Sequence, residues 1–343
     1  MNEMRSILEE SVNRLFADEL DWDALTRIEQ QGWPASLWEQ VCAQGIDRVL
    51  ASEAAGGMAG SWGDVYPLLR ACGRYAVPLP IAEANLCHWL ARQAHAELPA
   101  GVPGLVSQEV FVDSTHVTVT DARVPWGSQA QTLVVVHAGE LLITATSGLE
   151  ITREDNIGRD PRDHVSGRAE ILSRSPLAVP ADTVHLLGAL IRSAQIAGGA
   201  AAALDLAVQY ASEREQFGRP LSKFQAIQHH LADLAGLVAS ADAIVMSACE
   251  VFDQRGIAGA GRDARFEIAV AKCRTSEAVE KITRLSHQIH GAIGFTYEYG
   301  LHFVSRRLWA WRAEFGGSSE WGEYLGRAAV EQGGDGLWPL ITD

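Results

Sequence analysis

Residues 210–235, YASEREQFGRPLSKFQAIQHHLADLA, gather groups able to hold an anionic ligand. Arg214 is a permanent forked cation. Phe217-Gly218 predicts a turn, Pro220 blocks helix, and a new helix is expected from about Ser222. Such a corner sets a guanidinium beside exposed backbone donors and an aromatic face, which suits a pyrophosphate and an adjoining ring. The same pattern also reads as a surface helix–turn–helix corner plugged by Phe217. The other chemistry-bearing residues are less organised. His229-His230 and the pair His287 and His290 lack a nearby Cys or Asp to complete a ligand set, so no metal site is expected. There is no GxGxxG after a strand, no Walker loop, no HExxH and no GxSxG.

The elements that must position this corner follow from periodicity. Residues 1–100 read as a helical domain. Met4, Ile7, Leu8, Val12 and Leu15 recur at three- and four-residue steps, and Glu83 to Gln93 predicts a further helix. From 101 to 177 the texture changes to alternating Val and Thr. His116-Val-Thr-Val-Thr120, Leu133, Val135, Leu142 and Thr144 predict the strands of a small β-barrel-like domain. From 178 to 343 the chain is helical again. A long Ala-rich helix spans about 181–212, and its Gly198-Gly199 pair permits close approach of a neighbour. The next helix carries Phe224, Ile227, Leu231, Leu234, Val238, Ala241 and Val245 as one apolar stripe, the seam of a bundle. A third helix is expected from about Arg262 to His290. The fold class is therefore mainly α with a middle β domain.

Composition narrows the function classes. The 343 residues carry 28 Lys plus Arg against 43 Asp plus Glu, a formal charge of −15, which disfavours nucleic acid. No apolar run is read as long enough for a membrane span, and the N-terminus is not read as a signal peptide. Five scattered cysteines without CxxC read as reduced thiols of a cytoplasmic protein.

Residues 213–225, EREQFGRPLSKFQ, resemble the flavin-binding signature of acyl-CoA dehydrogenases. Residues 288–299, QIHGAIGFTYEY, resemble that family's Gln-x-x-Gly-Gly-x-Gly-aromatic segment, and Arg306 falls where the family carries an Arg in the following helix. The resemblance implies an N-terminal helical domain, a middle β domain and a C-terminal four-helix bundle. It implies FAD, an acyl-CoA substrate and α,β-dehydrogenation, in which a carboxylate removes the α-proton and the flavin accepts hydride from the β-carbon. It further implies that Arg214, Gln216, Phe217, Gln288 and Gly291 reach across an interface to the adenosine and pyrophosphate of an FAD seated in a neighbouring subunit. Without the family, Gly291 reads equally as a helix C-cap. Trp126 matches the Trp that flanks the flavin, with core packing as the other reading.

Two departures qualify the resemblance. The family's catalytic carboxylate falls on Phe315, and the alternative position used by some members falls on Gly188. Glu314 and Glu320 are the nearest acids, with Glu314 the weak candidate. The family's Thr-Glu-Pro…Gly-Ser-Asp flavin cradle is missing from residues 102–110, VPGLVSQEV. A chain that keeps the lent half-site and loses its own resembles the short bacterial subunits acting on steroid side chains, which pair unlike chains in heterotetramers. Two functions are carried forward: a dehydrogenase subunit with an unusual base, and a base-less subunit that completes a homologous partner's FAD site. Either implies a homo- or hetero-oligomer, a dimer or tetramer built through the C-terminal bundle. Electron-transferring flavoprotein is the family's usual acceptor.

Overall fold

The computed structural model describes residues 3–257 and 263–342. Helices α1 (Glu3–Glu19), α2 (Trp22–Gln31), α3 (Ala35–Ala43), α4 (Trp62–Arg74) and α5 (Ile81–Gln93) form the first layer. Leu8, Val12 and Leu15 turn inward as the periodicity expects, while Ile7 is exposed. Ser61 and Asp64 make a reciprocal capping box at the start of α4. Asp253 adds both carboxylate oxygens there, accepting from the Trp62 and Gly63 amides at 2.7 Å each.

Strands β1 (Val102–Val106), β2 (Val110–Val112), β3 (His116–Pro125), β4 (Ala130–His137), β5 (Glu140–Ala145), β6 (Leu149–Thr152) and β7 (Arg162–Pro176) build one sheet in the order β1-β4-β5-β7-β3-β2, with β6 also paired to β7. The β1–β4 pair is parallel and the others are antiparallel. Val117, Val119, Leu133, Val135 and Leu142 point to one buried core, as their alternation predicts.

The C-terminal part comprises α6 (Thr183–Glu213), α7 (Gln225–Arg255), α8 (Arg265–His290), α9 (Leu301–Ala313) and α10 (Ser318–Thr342). Helices α6, α7 and α8 pack on one another, α9 lies on α6, and α10 lies on α8. The expected start of the third helix, Arg262, lies outside the described residues. A short hairpin, β8 (Glu215–Gln216) with β9 (Arg219–Pro220), joins α6 to α7.

Two expectations are corrected. The Ala/Gly-rich face at 196–203, which with the α7 stripe is a ground for expecting an oligomer, is used inside the chain. A Cβ at Gly198 would fall 1.8 Å from the Arg70 carbonyl oxygen, and one at Gly73 would fall 1.9 Å from that of Gln195. Each helix therefore supplies a glycine to the other's backbone, and α4 and α6 cross at contact distance. The second correction concerns apolar length. Helices α6 and α7 are both long and apolar enough to cross a membrane by length and composition. The α6 window is wholly buried in the protein core, so its apolarity belongs to packing, whereas most of the α7 window is exposed.

Candidate functional site

The hairpin after α6 shows why its sequence was legible. Phe217 and Gly218 both adopt positive φ, 52° and 79°, so the two-residue turn matches the twist of its strands. Phe217 stands 91% exposed at the tip. Arg219 lies over the Phe224 ring at 4.2 Å, and Phe217 meets the same ring edge-on at 6.3 Å. Arg214 and Gln216 are exposed. The second motif lies at the end of α8, where Gln288 is exposed and Gly291 takes φ 64°.

An aromatic bridge joins the two motifs. Tyr210, whose carbonyl accepts from the Arg214 amide at 2.9 Å, stacks on His290 at 4.9 Å. Tyr299 packs against both rings and donates its hydroxyl to the Leu206 carbonyl. The structure thus brings Arg214, Gln216, Phe217, Gln288 and Gly291 onto one outward-facing corner of the bundle. Nothing lies within 4 Å of a Cβ built at Gly218 or Gly291. Open backbone at positive φ beside a guanidinium and a projecting ring fits a dinucleotide approaching from outside the chain.

Trp126 is not part of this corner. It sits at φ 52° between β3 and β4, buried, edge-on to Trp33 at 5.1 Å. Arg306 hydrogen-bonds Glu29 of α2 at 2.7 Å. His287 pairs with Ser305 and stacks on Phe295. Among the described residues no group of three or more His, Cys, Asp and Glu could hold a metal.

A cleft of about 500 Å³ opens between the β layer and the bundle. Leu105, Pro125, Trp309 and Phe315 form apolar walls, with Ser107 and Gln108 among the polar groups. Its floor is a chain of buried charges. The Glu314 carboxylate accepts from Arg162 Nε at 2.9 Å and Nη2 at 3.0 Å, from Arg192 Nε at 2.6 Å and from Asn156 Nδ2 at 2.9 Å. Arg192 also pairs with Glu83 of α5 and donates to Gln195. One network therefore ties α5, α6, β7 and the end of α9 together.

Burial alone would raise the Glu314 pKa. The charges of Arg162 and Arg192 and the hydrogen bonds of Arg162 and Asn156 outweigh it, and the carboxyl falls to about 2. A carboxylate so stabilised is a poor acceptor for a thioester α-proton. The two positions where the family keeps its base are filled against each other. A Cβ at Gly188 would fall 2.3 Å from the Phe315 ring. Phe315 itself stands at φ 54°, with its carbonyl receiving the Trp321 indole N–H at 2.9 Å. Glu320 faces His185 at 3.1 Å, away from the Glu314 network.

Sequence reasoning missed Arg162, Arg192, Glu83 and Lys272. Lys272 is fully buried and donates to the Trp311 and Arg312 carbonyls at 2.7 and 3.1 Å, closing the end of α9 ahead of Glu314. Desolvation, with Arg192 nearby, lowers its pKa to about 7.

Residues 187–321 match the model for the acyl-CoA dehydrogenase C-terminal domain. The chain is 28% identical to the acyl-CoA dehydrogenase IpdE2 of Mycobacterium tuberculosis, over 89% of this chain and 91% of that one. The chain is therefore similar to acyl-CoA dehydrogenases along most of its length, and residues 187–321 carry that family's C-terminal domain. Among solved structures, the chain superposes on the ChsE4–ChsE5 complex of Mycobacterium tuberculosis with a TM-score of 0.86 at 19% identity, covering 96% of this chain and 98% of that one. A variant of the Tcur3481–Tcur3483 steroid ACAD gives 0.77 at 22% identity, over 96% and 98%. The cofactor of such an acyl-CoA dehydrogenase is FAD and its reaction is dehydrogenation of an acyl-CoA thioester. The corner is exposed, whereas the floor of the chain's own cleft is closed by the Glu314 network.

Proposed function

We propose that this chain is one half of a two-chain acyl-CoA dehydrogenase. It lends Arg214, Gln216, Phe217, Gln288 and Gly291 to an FAD seated in a homologous partner, and the partner supplies the base. The observation that carries this reading is the Gly188–Phe315 contact, which leaves neither base position able to take a proton. Glu314, the acid next to Phe315 in the chain, is held by two arginines. Bound FAD supplies the redox chemistry, accepting hydride from the substrate β-carbon. Arg214 offsets pyrophosphate charge, Phe217 offers a ring face to the adenosine end, and Gly291 lets the backbone come close.

The ChsE4–ChsE5 relative is a complex of two named chains, which supports an unlike partner here. The steroid ACAD relative supports a steroid side chain or similarly bulky acyl group. The exposed length of α7 is the face expected to meet the partner, and electron-transferring flavoprotein is the expected acceptor. Co-expression with a homologous chain that carries Glu at the base position tests the reading. Flavin absorbance and acyl-CoA oxidation should appear in the co-purified assembly and not in this chain alone. A yellow, active preparation of this chain by itself overturns it.

A further inference from the structure

The floor of the cleft has an unusual charge balance. Arg162 and Arg192 are cations, Glu83 and Glu314 are anions, and the four cancel. The arginines are fixed from separate layers: Arg192 on α6 is 1% exposed at its side chain and Arg162 on β7 is 10% exposed. Glu83, 5% exposed, neutralises one cation from α5. Glu314 is the accessible member, 20% exposed, and it lines the cleft. It is also the member that lies outside a helix or strand. It follows the last residue of α9 and precedes Phe315, Gly316 and Gly317, the first two at φ 54° and 85°.

With Glu314 withdrawn, the cluster keeps Arg162, Arg192 and Glu83, a net charge of +1 in a largely buried setting. Such a cluster calls for one monoanion with two oxygens, because Glu314 now takes the Arg162 fork through both oxygens and Arg192 Nε through one. We propose that Arg162 and Arg192 form a carboxylate-binding site that Glu314 occupies as an internal ligand, and that a free carboxylate on the acyl group of a bound thioester takes Glu314's place. The walls above the floor are largely apolar, with Arg123, Glu154 and Asp155 also lining the cleft, which fits a hydrocarbon body joining that carboxylate to the mouth. That the carrier is an acyl thioester rests on the function proposed above. The carboxylate site itself rests on the ion-pair geometry alone.

The test separates the two. Glu314→Ala in the full-length chain should lower Tm by about 5–10 °C, the scale of breaking a buried pair in a chain of this size. Acetate or succinate at tens of millimolar should restore most of that loss, and chloride at equal ionic strength should not. Adding Arg162→Ala to that variant should abolish the rescue. Should Glu314→Ala fail to fold, Glu314→Gln keeps the volume and an acceptor while leaving the +1 charge, and acetate should still raise its Tm. Absence of carboxylate-specific rescue in whichever variant folds overturns the site. Rescue by free carboxylates, without tighter binding of a carboxyl-bearing acyl thioester than of its methyl-ended analogue to the native chain, overturns the ligand assignment and leaves the carboxylate site standing.

Discussion

Phe315 packs its ring directly over the backbone of Gly188, so that a single methyl added at Gly188 would fall 2.3 Å from the ring. The Arg192 guanidinium lies 5.7 Å from the same ring and the His185 ring 6.4 Å away. The two positions where the resemblance expects a carboxylate are here one apolar contact.

The contact predicts a coupled pair of variants. Gly188→Ala overpacks the site and should cost about 1–3 kcal/mol. Phe315→Ala removes a half-buried ring and should cost about 2–3 kcal/mol, below the range for a fully buried phenylalanine. In the double variant the alanine at 188 has room, so the costs should fall short of additive by about 1 kcal/mol. Urea unfolding of the three variants measures this, and strict additivity would show that the ring and the glycine do not bear on each other.

Arg214→Ala should weaken FAD retention in the assembly by one to two decades, since a charge-assisted hydrogen bond contributes about 1.5–3 kcal/mol. Equilibrium dialysis of the flavin reads it. An unchanged dissociation constant removes Arg214 from the pyrophosphate.

Glu314 sets a pH dependence. Its pKa is lowered from 4.5 to about 2 in the folded chain, so the unfolded state binds more protons between these values. Stability from this group is full above about pH 4.5 and is lost as pH falls toward 2, a contribution of about 3 kcal/mol. Glu314→Gln should flatten stability across that window. In the assembly the same variant should keep acyl-CoA oxidation within about one decade under single turnover, because a carboxylate this weakly basic does not take the α-proton. A loss of several decades, with flavin and thioester binding intact, would make Glu314 the base.

Lys272 acts in the opposite pH range. Its folded pKa is lowered from 10.5 to about 7 by burial, with Arg192 and Arg312 opposing its charge and Glu314 and Glu320 favouring it. The unfolded state therefore binds the extra proton between these values, and stability should rise from pH 7 toward pH 10. A neutral amine still has two hydrogens for the Trp311 and Arg312 carbonyls. Lys272→Met should remove the rise. Denaturant midpoints at pH 7, 8.5 and 10 check it, and an identical slope in the variant would assign the rise to other groups.

Local rules carried much of this molecule. Period-two alternation placed Val117, Val119, Leu133 and Val135 in one core, and Phe217-Gly218 marked a turn, because those signals lie within a few residues. The resemblance drew the distant segments 213–225 and 288–299 together, and the contacts among Tyr210, His290 and Tyr299 join them in the fold. The Glu314 network was not legible because its members are separated by as many as 231 positions along the chain, from Glu83 to Glu314. A weaker signal was present. Arg192 is the one cation inside the apolar run of α6, Glu83 the one acid in α5, and Lys272 interrupts the Ile-Ala-Val-Ala run of α8. Isolated charges in buried helices require partners, yet sequence does not say which. The Ala/Gly face of α6 misled for a related reason: small residues announce close approach without naming the neighbour, which proved to be α4.

The paired glycines at that crossing have a mechanical consequence. Gly73 and Gly198 each admit the other helix's carbonyl with no clearance for a methyl group, so α4 and α6 cannot slide or roll without a steric clash. The first helical layer and the bundle consequently behave as one rigid frame. The sheet shares that frame's apolar core through Val102, Leu105, Val134 and Leu141, and is fastened further by Glu314 to Arg162 and by Arg307 to Asp160. Amide exchange should show the strands bordering the cleft loosening together when Glu314 is removed, while α4 and α6 keep their protection.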